Sequence, residues 1–261
     1  MISRCFDKKA IFDYIGKDYA YCLYIYIDTI KYELDGDDFS VWLQTDEGGR
    51  VCAIISEYYK GIQIFSRDNK FIKEELADFL KKKNPPNIFG AKATMVVIRD
   101  DFSAYVEEPG IVGKLKEVLI PFNPEVYSAR LDELSEIAGV IAEDEGIGKP
   151  YGYDSLYKQL RERMENGMGR SYILRDKNSG DIVCHAGTYA ETDGVAVIGG
   201  VITPPAYRGK GFSKQTLAAL CHDLKDEGKE IFSFFYIPPA KRMHYGVGFE
   251  DVTDWIKLYK K

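Results

Sequence analysis

The stretch Val201-Ile202-Thr203-Pro204-Pro205-Ala206-Tyr207-Arg208-Gly209-Lys210-Gly211-Phe212-Ser213 decides the reading of this chain. Its first residues close an apolar run, Val195 to Thr203, that follows the turn signal Thr192-Asp193-Gly194 and reads as a strand. Beyond it, Leu217, Leu220, Cys221 and Leu224 recur at helical spacing and predict an amphipathic helix through about Asp226. The quoted residues are therefore a loop from a strand into a helix. The first turn of a helix carries N–H groups without internal partners, at the positive end of its dipole. Such an end accepts phosphate when the backbone can come close. Gly209 and Gly211 remove side chains that would hold an anion away, and Arg208 and Lys210 add positive charge.

The usual nucleotide signatures are missing. There is no G-x-x-x-x-G-K-[ST] and no G-x-G-x-x-G after the strand. Taken alone, the loop is also compatible with a flexible basic turn that binds nothing. Its surroundings narrow the choice. Leu131, Leu134, Ala138 and Ile141 mark one helix. Leu156, Leu160 and Met164 mark a second, with Asp154 as the expected N-cap and Gly167 and Gly169 at its end. Three strands follow (171–175, 182–189 and 195–203), separated by the turns at 178–180 and 192–194. After the loop and its helix come an apolar strand at 231–237, a helix or loop, Gly248-Phe249, and a last strand at 255–259.

On these residues the sequence resembles the GNAT superfamily of N-acetyltransferases, whose pyrophosphate loop reads [RQ]-x-x-G-x-[GA]. The match is Arg208, Gly211 and Ser213, with Ser in place of Gly or Ala. The order of elements over about 126–261 fits as well. The resemblance implies that the backbone of Arg208, Gly209, Lys210, Gly211, Phe212 and Ser213 binds the pyrophosphate of acetyl-CoA. It also implies that the preceding strand splays from its neighbour, with Val201, Ile202 and Thr203 meeting the pantetheine and acyl carbonyl. Family members commonly place a Tyr four residues before the Gly of a closing Gly-Phe, as the acid for the leaving thiolate. Here that position holds His244, with Tyr245 one place later, and Pro238-Pro239-Ala240-Lys241-Arg242 lacks the Asn often found before it. Tyr245 and His244 are thus the candidate catalytic residues, as a hydroxyl donor and a near-neutral imidazole respectively.

No general base is forced. Glu191 and Asp193 flank a turn and read as solvated carboxylates. His185, between Cys184 and Ala186, reads as a satisfied core histidine, and His222 as an exposed helix residue. Cys184 and Cys221 have no spacing that supports a thiol nucleophile.

The first part of the chain reads as mixed helix and strand. Asp7 caps a helix beginning near Ala10, and a hairpin is predicted from 41–43 and 51–55 around Asp46-Glu47-Gly48-Gly49. A strand is expected at 62–65, a helix at 73–83 stopped by Asn84-Pro85-Pro86, and a buried strand at 93–98. The punctuation Pro121, Asn123, Pro124 places a boundary between domains 1–122 and 123–261. The expected fold class is α/β, mixed α+β with a mainly antiparallel sheet and the GNAT-like acyltransferase fold. The first domain is expected to be a degenerate copy that lost its loop and walls the acceptor cleft.

Bulk properties bound the rest. In 261 residues, 45% hydrophobic and 29% charged, a core forms without staples. Five scattered cysteines without a CxxC point to a reducing cytoplasm and away from a zinc site. The apolar run at 20–27 is too short to span a bilayer, no signal peptide is evident, and a net charge of −6 argues against nucleic acid. The expectation is a metal-free, cytoplasmic N-acetyltransferase acting on a primary amine of a small molecule or peptide, with oligomerisation open. The alternative from another class is a non-catalytic CoA-binding sensor or scaffold.

Overall fold

A computed structural model describes residues 1–261 except 37, 38, 59, 146, 147 and 150. The chain divides into two compact units, one of residues 1–112 with 251–261 and one of residues 113–250. The boundary read from the sequence, 122/123, falls inside the second unit.

Unit 1 begins with β1 (Ile2–Cys5), α1 (Lys8–Ile15) and α2 (Leu23–Lys31). Asp7 accepts from the Lys9 N–H at 2.8 Å and caps α1 as expected. Next come β2 (Phe39–Thr45), β3 (Val51–Tyr58), β4 (Gly61–Phe65), α3 (Lys73–Lys83) and β5 (Asn87–Ala91). α3 ends where Asn84 turns left-handed, φ 51°, ahead of the two prolines. α4 (Lys92–Ile98) and β6 (Val106–Leu115) follow. Strands β1 to β4 pair antiparallel in sequence order. β4 and β5 pair parallel, joined by α3, as a parallel pair requires a crossover.

The buried strand expected at 93–98 is instead helix α4. Thr94, Met95 and Ile98 are buried while Val96 and Val97 are over one-third exposed, a helical spacing and not an alternation. The strand of this region is β5, just before it.

Unit 2 runs β7 (Tyr127–Ser128), α5 (Leu134–Ala142), α6 (Tyr153–Glu165), β8 (Ser171–Arg175), β9 (Ile182–Glu191) and β10 (Val195–Ile202). It continues with α7 (Phe212–Asp226), β11 (Glu230–Phe235), α8 (Pro238–Val247) and the start of β12 (Phe249–Tyr259). β7 to β10 pair antiparallel in order, and β10 pairs β11 in parallel across α7. The N-cap of α6 is Gly152 and not Asp154, which lies in its first turn.

Both units thus have one order: strand, two helices, three antiparallel strands, helix, parallel strand, helix, strand. The last strand is exchanged. The end of β6, residues 113–115, belongs to unit 2, and the end of β12, residues 251–259, belongs to unit 1, where it pairs antiparallel with β5 from Trp255↔Ala91 to Tyr259↔Asn87. The expected repeat of one fold is present. The core of unit 2 is formed by Leu217, Leu220, Cys221 and Leu224 of α7 against Tyr172, Leu174, Val183, Ala186, Ala196 and Ile198. Each large apolar side chain so enclosed contributes about 1.5–3 kcal/mol.

Candidate active site

Strand β10 is held on both sides only at its start. Its parallel partner β11 is in register from Val195↔Glu230 to Ile198↔Ser233 and no further. Residues 199–202 continue as strand without β11. On the other side the register with β9 jumps between Gly199↔Gly187 and Ile202↔His185, a bulge centred on Gly200 at φ +61°. The Tyr189 ring lies against the bulge. A Cβ on Gly199 would stand 2.4 Å from that ring, so only glycine fits. In the sequence Gly199-Gly200 was the available signal for this bulge, hidden within an otherwise continuous apolar run.

Val201 is half-buried, Ile202 buried, and the Thr203 hydroxyl reaches Cys184 Sγ at 3.4 Å. A short turn, Pro205–Tyr207, leads into the loop, and the Tyr207 hydroxyl donates to Asp181 at 3.0 Å. Arg208 turns back. Its Nε–H donates to Thr203 O at 2.9 Å and its guanidinium pairs with Asp144 at 3.5 Å, while the side chain stays 59% exposed. The Lys210 amine lies 5.5 Å from the Tyr207 ring centre.

Gly209 and Gly211 both have φ +80°, and a Cβ on either would meet nothing within 4 Å. The left-handed backbone calls for glycine and the space above it is open. Gly211 is the N-cap of α7 and makes no side-chain cap. The first-turn amides at Phe212 and Ser213 therefore have no capping side chain, beside two cations and an open cradle. This arrangement fits a pyrophosphate. Lys214, in the same turn, lies over Gly246 of α8, where a Cβ would come 2.4 Å from its Nζ.

His244 and Tyr245 are neighbours on α8 with different surroundings. His244 is 4% exposed. Its Nδ1–H donates to Ala240 O and its Nε2 accepts from the Ser233 hydroxyl, both at 2.8 Å. The carbonyl can only accept, which sets this tautomer. The ring stacks on Phe235 at 4.6 Å, and burial brings its pKa down to about 4. Its only ring proton at neutral pH is committed to α8 itself. Tyr245 is half-buried, edge-on to Phe235, with the Lys241 amine 5.4 Å from its ring centre. It lines a recess with Lys116, Glu117, Leu119, Gly248, Phe249 and Glu250.

The other titratable candidates do not converge here. Glu191 is not a solvated loop carboxylate but is 4% exposed, bonded to Arg170 at 2.8 Å, Lys229 at 2.7 Å and Thr188 at 2.5 Å. Burial raises its pKa, but the two cations and the hydroxyl together hold it below the usual range. Asp193 is exposed in the turn before β10, at the end opposite the loop. His222 is half-buried and donates from Nε2 to Ile120 O at 2.9 Å. All five cysteines are free thiols, and burial pushes Cys184 up, which disfavours a thiolate. Among the described residues no helix is long and apolar enough to cross a membrane, and no group of three His, Cys, Asp or Glu is placed to hold a metal.

Residues 131–249 match the model of the Acetyltransferase (GNAT) family. Among solved structures, a GNAT-family acetyltransferase from Colwellia psychrerythraea superposes with TM-score 0.62 at 12% identity, covering 100% of both chains. A GCN5-related N-acetyltransferase from Sphaerobacter thermophilus gives 0.66 at 14%, covering 100% of this chain and 95% of that one. A tandem GNAT protein from the clavulanic acid biosynthesis pathway gives 0.61 at 10%, covering 99% and 97%. At these identities the likeness is one of fold. No curated protein matches the sequence. Over residues 131–249, which include β10, the loop and α8, the chain carries a GNAT-family acetyltransferase domain.

Proposed function

We propose that the chain transfers an acetyl group from acetyl-CoA to a primary amine of a small molecule or peptide, by direct attack. The family implies an acyl-CoA cosubstrate. The observation that carries the reading is the uncapped, two-glycine start of α7 beside a strand that outruns its partner. Amides of residues 209–213, with Arg208 and Lys210, hold the pyrophosphate. Backbone groups of Val201, Ile202 and Thr203, past the last β11 pair, take the pantetheine and the acyl carbonyl. Acetyl-CoA supplies the activated acyl carbon. Amide donors fixed on a rigid strand stabilise developing negative charge without reorganisation. Tyr245 holds, on its phenolic oxygen, the proton needed at the thiol. His244 is not given that role, because its proton is bonded to Ala240 O inside the core. No carboxylate among Glu191 and Asp193 is placed as base, and water relays the amine's proton.

The test is thiol release from acetyl-CoA across a panel of primary amines. Turnover is expected with at least one amine. Tyr245→Phe is expected to lower kcat by about 100-fold while KM for acetyl-CoA changes by less than about 3-fold. Acetyl-CoA binding without turnover on any amine would overturn the transfer and leave a CoA-binding sensor or scaffold. The enclosed His244, at the position where the family commonly has its acid, is the observation that favours this second reading.

A further inference from the structure

We propose that His185 is a positioning residue: it locks the Gly200–Val201 peptide of β10 so that the Val201 N–H stays turned toward the acyl-pantetheine end of the cosubstrate. The inference rests on the cosubstrate reading above.

His185 is completely enclosed, 0% exposed, in the middle of β9. Its ring sits in a seat built from small residues. A Cβ on Gly187 would stand 3.2 Å from its Cε1, and one on Gly200 3.4 Å. Both ring nitrogens are used, Nδ1 with Gly200 O at 2.7 Å and Nε2 with Ser171 Oγ at 3.0 Å. A carbonyl oxygen only accepts, so Nδ1 carries the proton and Nε2 takes the serine's. Burial lowers the pKa to about 4, so this one tautomer persists at neutral pH. A leucine or phenylalanine could fill comparable space with no buried polar atoms to satisfy. What histidine adds is a directional bond to one carbonyl.

That carbonyl needs holding. Gly200 and Val201 have no Cα partner on β9, because the register jumps from Gly199 to Ile202, and none on β11 beyond Ile198. A peptide outside the ladder can rotate, and glycine at φ +61° resists rotation least. In a trans peptide the C=O and N–H point in opposite directions, and the described residues contain no cis bond. Fixing Gly200 O on the His185 side therefore fixes the Val201 N–H away from it. Ser171 on β8 sets the ring, the ring sets the carbonyl, and the carbonyl sets the amide.

The experiment titrates the full chain calorimetrically with two probes. One is acetyl-CoA; the other is 3′-phosphoadenosine 5′-diphosphate, which has the pyrophosphate but neither pantetheine nor acyl group. His185→Leu is expected to weaken acetyl-CoA about 10-fold, the scale of one lost hydrogen bond, and to leave the second probe within about 2-fold. His185→Gln, whose amide N–H can still donate to Gly200 O, is expected to recover most of that loss. Unchanged acetyl-CoA affinity in His185→Leu overturns the inference. So does equal weakening of both probes, which marks a merely structural residue. Should His185→Leu fail to fold, Ser171→Ala carries the same comparison, with about a 3-fold loss expected for acetyl-CoA alone and no selective loss overturning the proposal. Wild-type protein that binds neither probe overturns the cosubstrate reading, and this inference with it.

Discussion

The starts of helices α3 and α7 occupy the same place in two copies of one topology, and they are chemically opposite. In unit 2 the helix begins at an uncapped glycine with a second glycine two residues before it, open space above both, and Arg208, Lys210 and Lys214 nearby. In unit 1 the first turn of α3 carries Glu74 and Glu75. The Glu75 carboxylate accepts from the Ile2 N–H at 2.8 Å and from Gln44 at 2.9 Å. Gln44 in turn accepts from the Ile72 N–H at 2.9 Å. An anion meets negative charge and satisfied donors there. The strands differ in the same sense. β4 outlasts its last β5 pair, Ile64↔Gly90, by a single residue, while β10 runs four residues beyond Ile198. The fold supplies the helix end, but residue chemistry decides whether it can hold pyrophosphate.

The largest effect expected from this contrast is on CoA affinity. Arg208→Glu with Gly211→Leu reverses a charge and puts a side chain at φ +80° in the cradle. Affinity is expected to fall by about 1000-fold, on the order of 4 kcal/mol. Survival of tight binding in that variant would remove the loop from the account. Gly90→Ala acts on the closed pair of unit 1, where a Cβ would come 2.6 Å from Ile64 O. It is expected to destabilise the fold by about 1–3 kcal/mol in denaturant titration and to leave CoA affinity unchanged. Gly199→Ala, whose Cβ would stand 2.4 Å from the Tyr189 ring, is expected to change both.

All three histidines lie in unit 2, so acid acts first on that unit. Burial holds His185 and His244 at about 4 against an ordinary 6.5. Below pH 6.5 the unfolded chain binds protons that the folded chain refuses. Their stabilisation is therefore complete above that pH and is lost as pH falls toward 4, by about 1.4 kcal/mol per pH unit for each histidine. Glu227, held at about 2 chiefly by Arg170, adds its own loss only at lower pH. Denaturant titrations from pH 7 to 4.5 measure the slope, and His185→Gln should remove about half of it. A flat profile would contradict the enclosure of both rings. The smallest effect is at α3, where Glu74→Lys is expected to cost about 0.5 kcal/mol against the helix dipole and to create no CoA site.

Much of this was legible in local sequence because the relevant signals are local. The two glycines, the flanking cations and the amphipathic run after them place the loop without reference to anything distant. α3 was readable because its buried Leu76, Ala77 and Leu80, its acidic first turn and its Asn-Pro-Pro stop agree. The stretch Ala93 to Ile98 misled because a short apolar run with two valines suits a strand equally well, and only the pattern of exposure separates the two. His185 looked like an ordinary core histidine. Its bond to Gly200 O depends on a bulge in the neighbouring strand, which period-2 alternation does not reveal. The exchange of last strands was invisible for the same reason, since it depends on pairing between residues far apart in the chain. His244 and Tyr245 sit side by side in sequence, yet one is sealed behind Ser233 and Phe235 while the other lines a recess.

On the proposed reading, unit 2 binds CoA and unit 1 does not. A calorimetric titration of the wild-type chain with CoA counts the sites. One site per chain is expected, absent in Arg208→Glu with Gly211→Leu. Two sites per chain, or a site that persists in that variant, would contradict that reading.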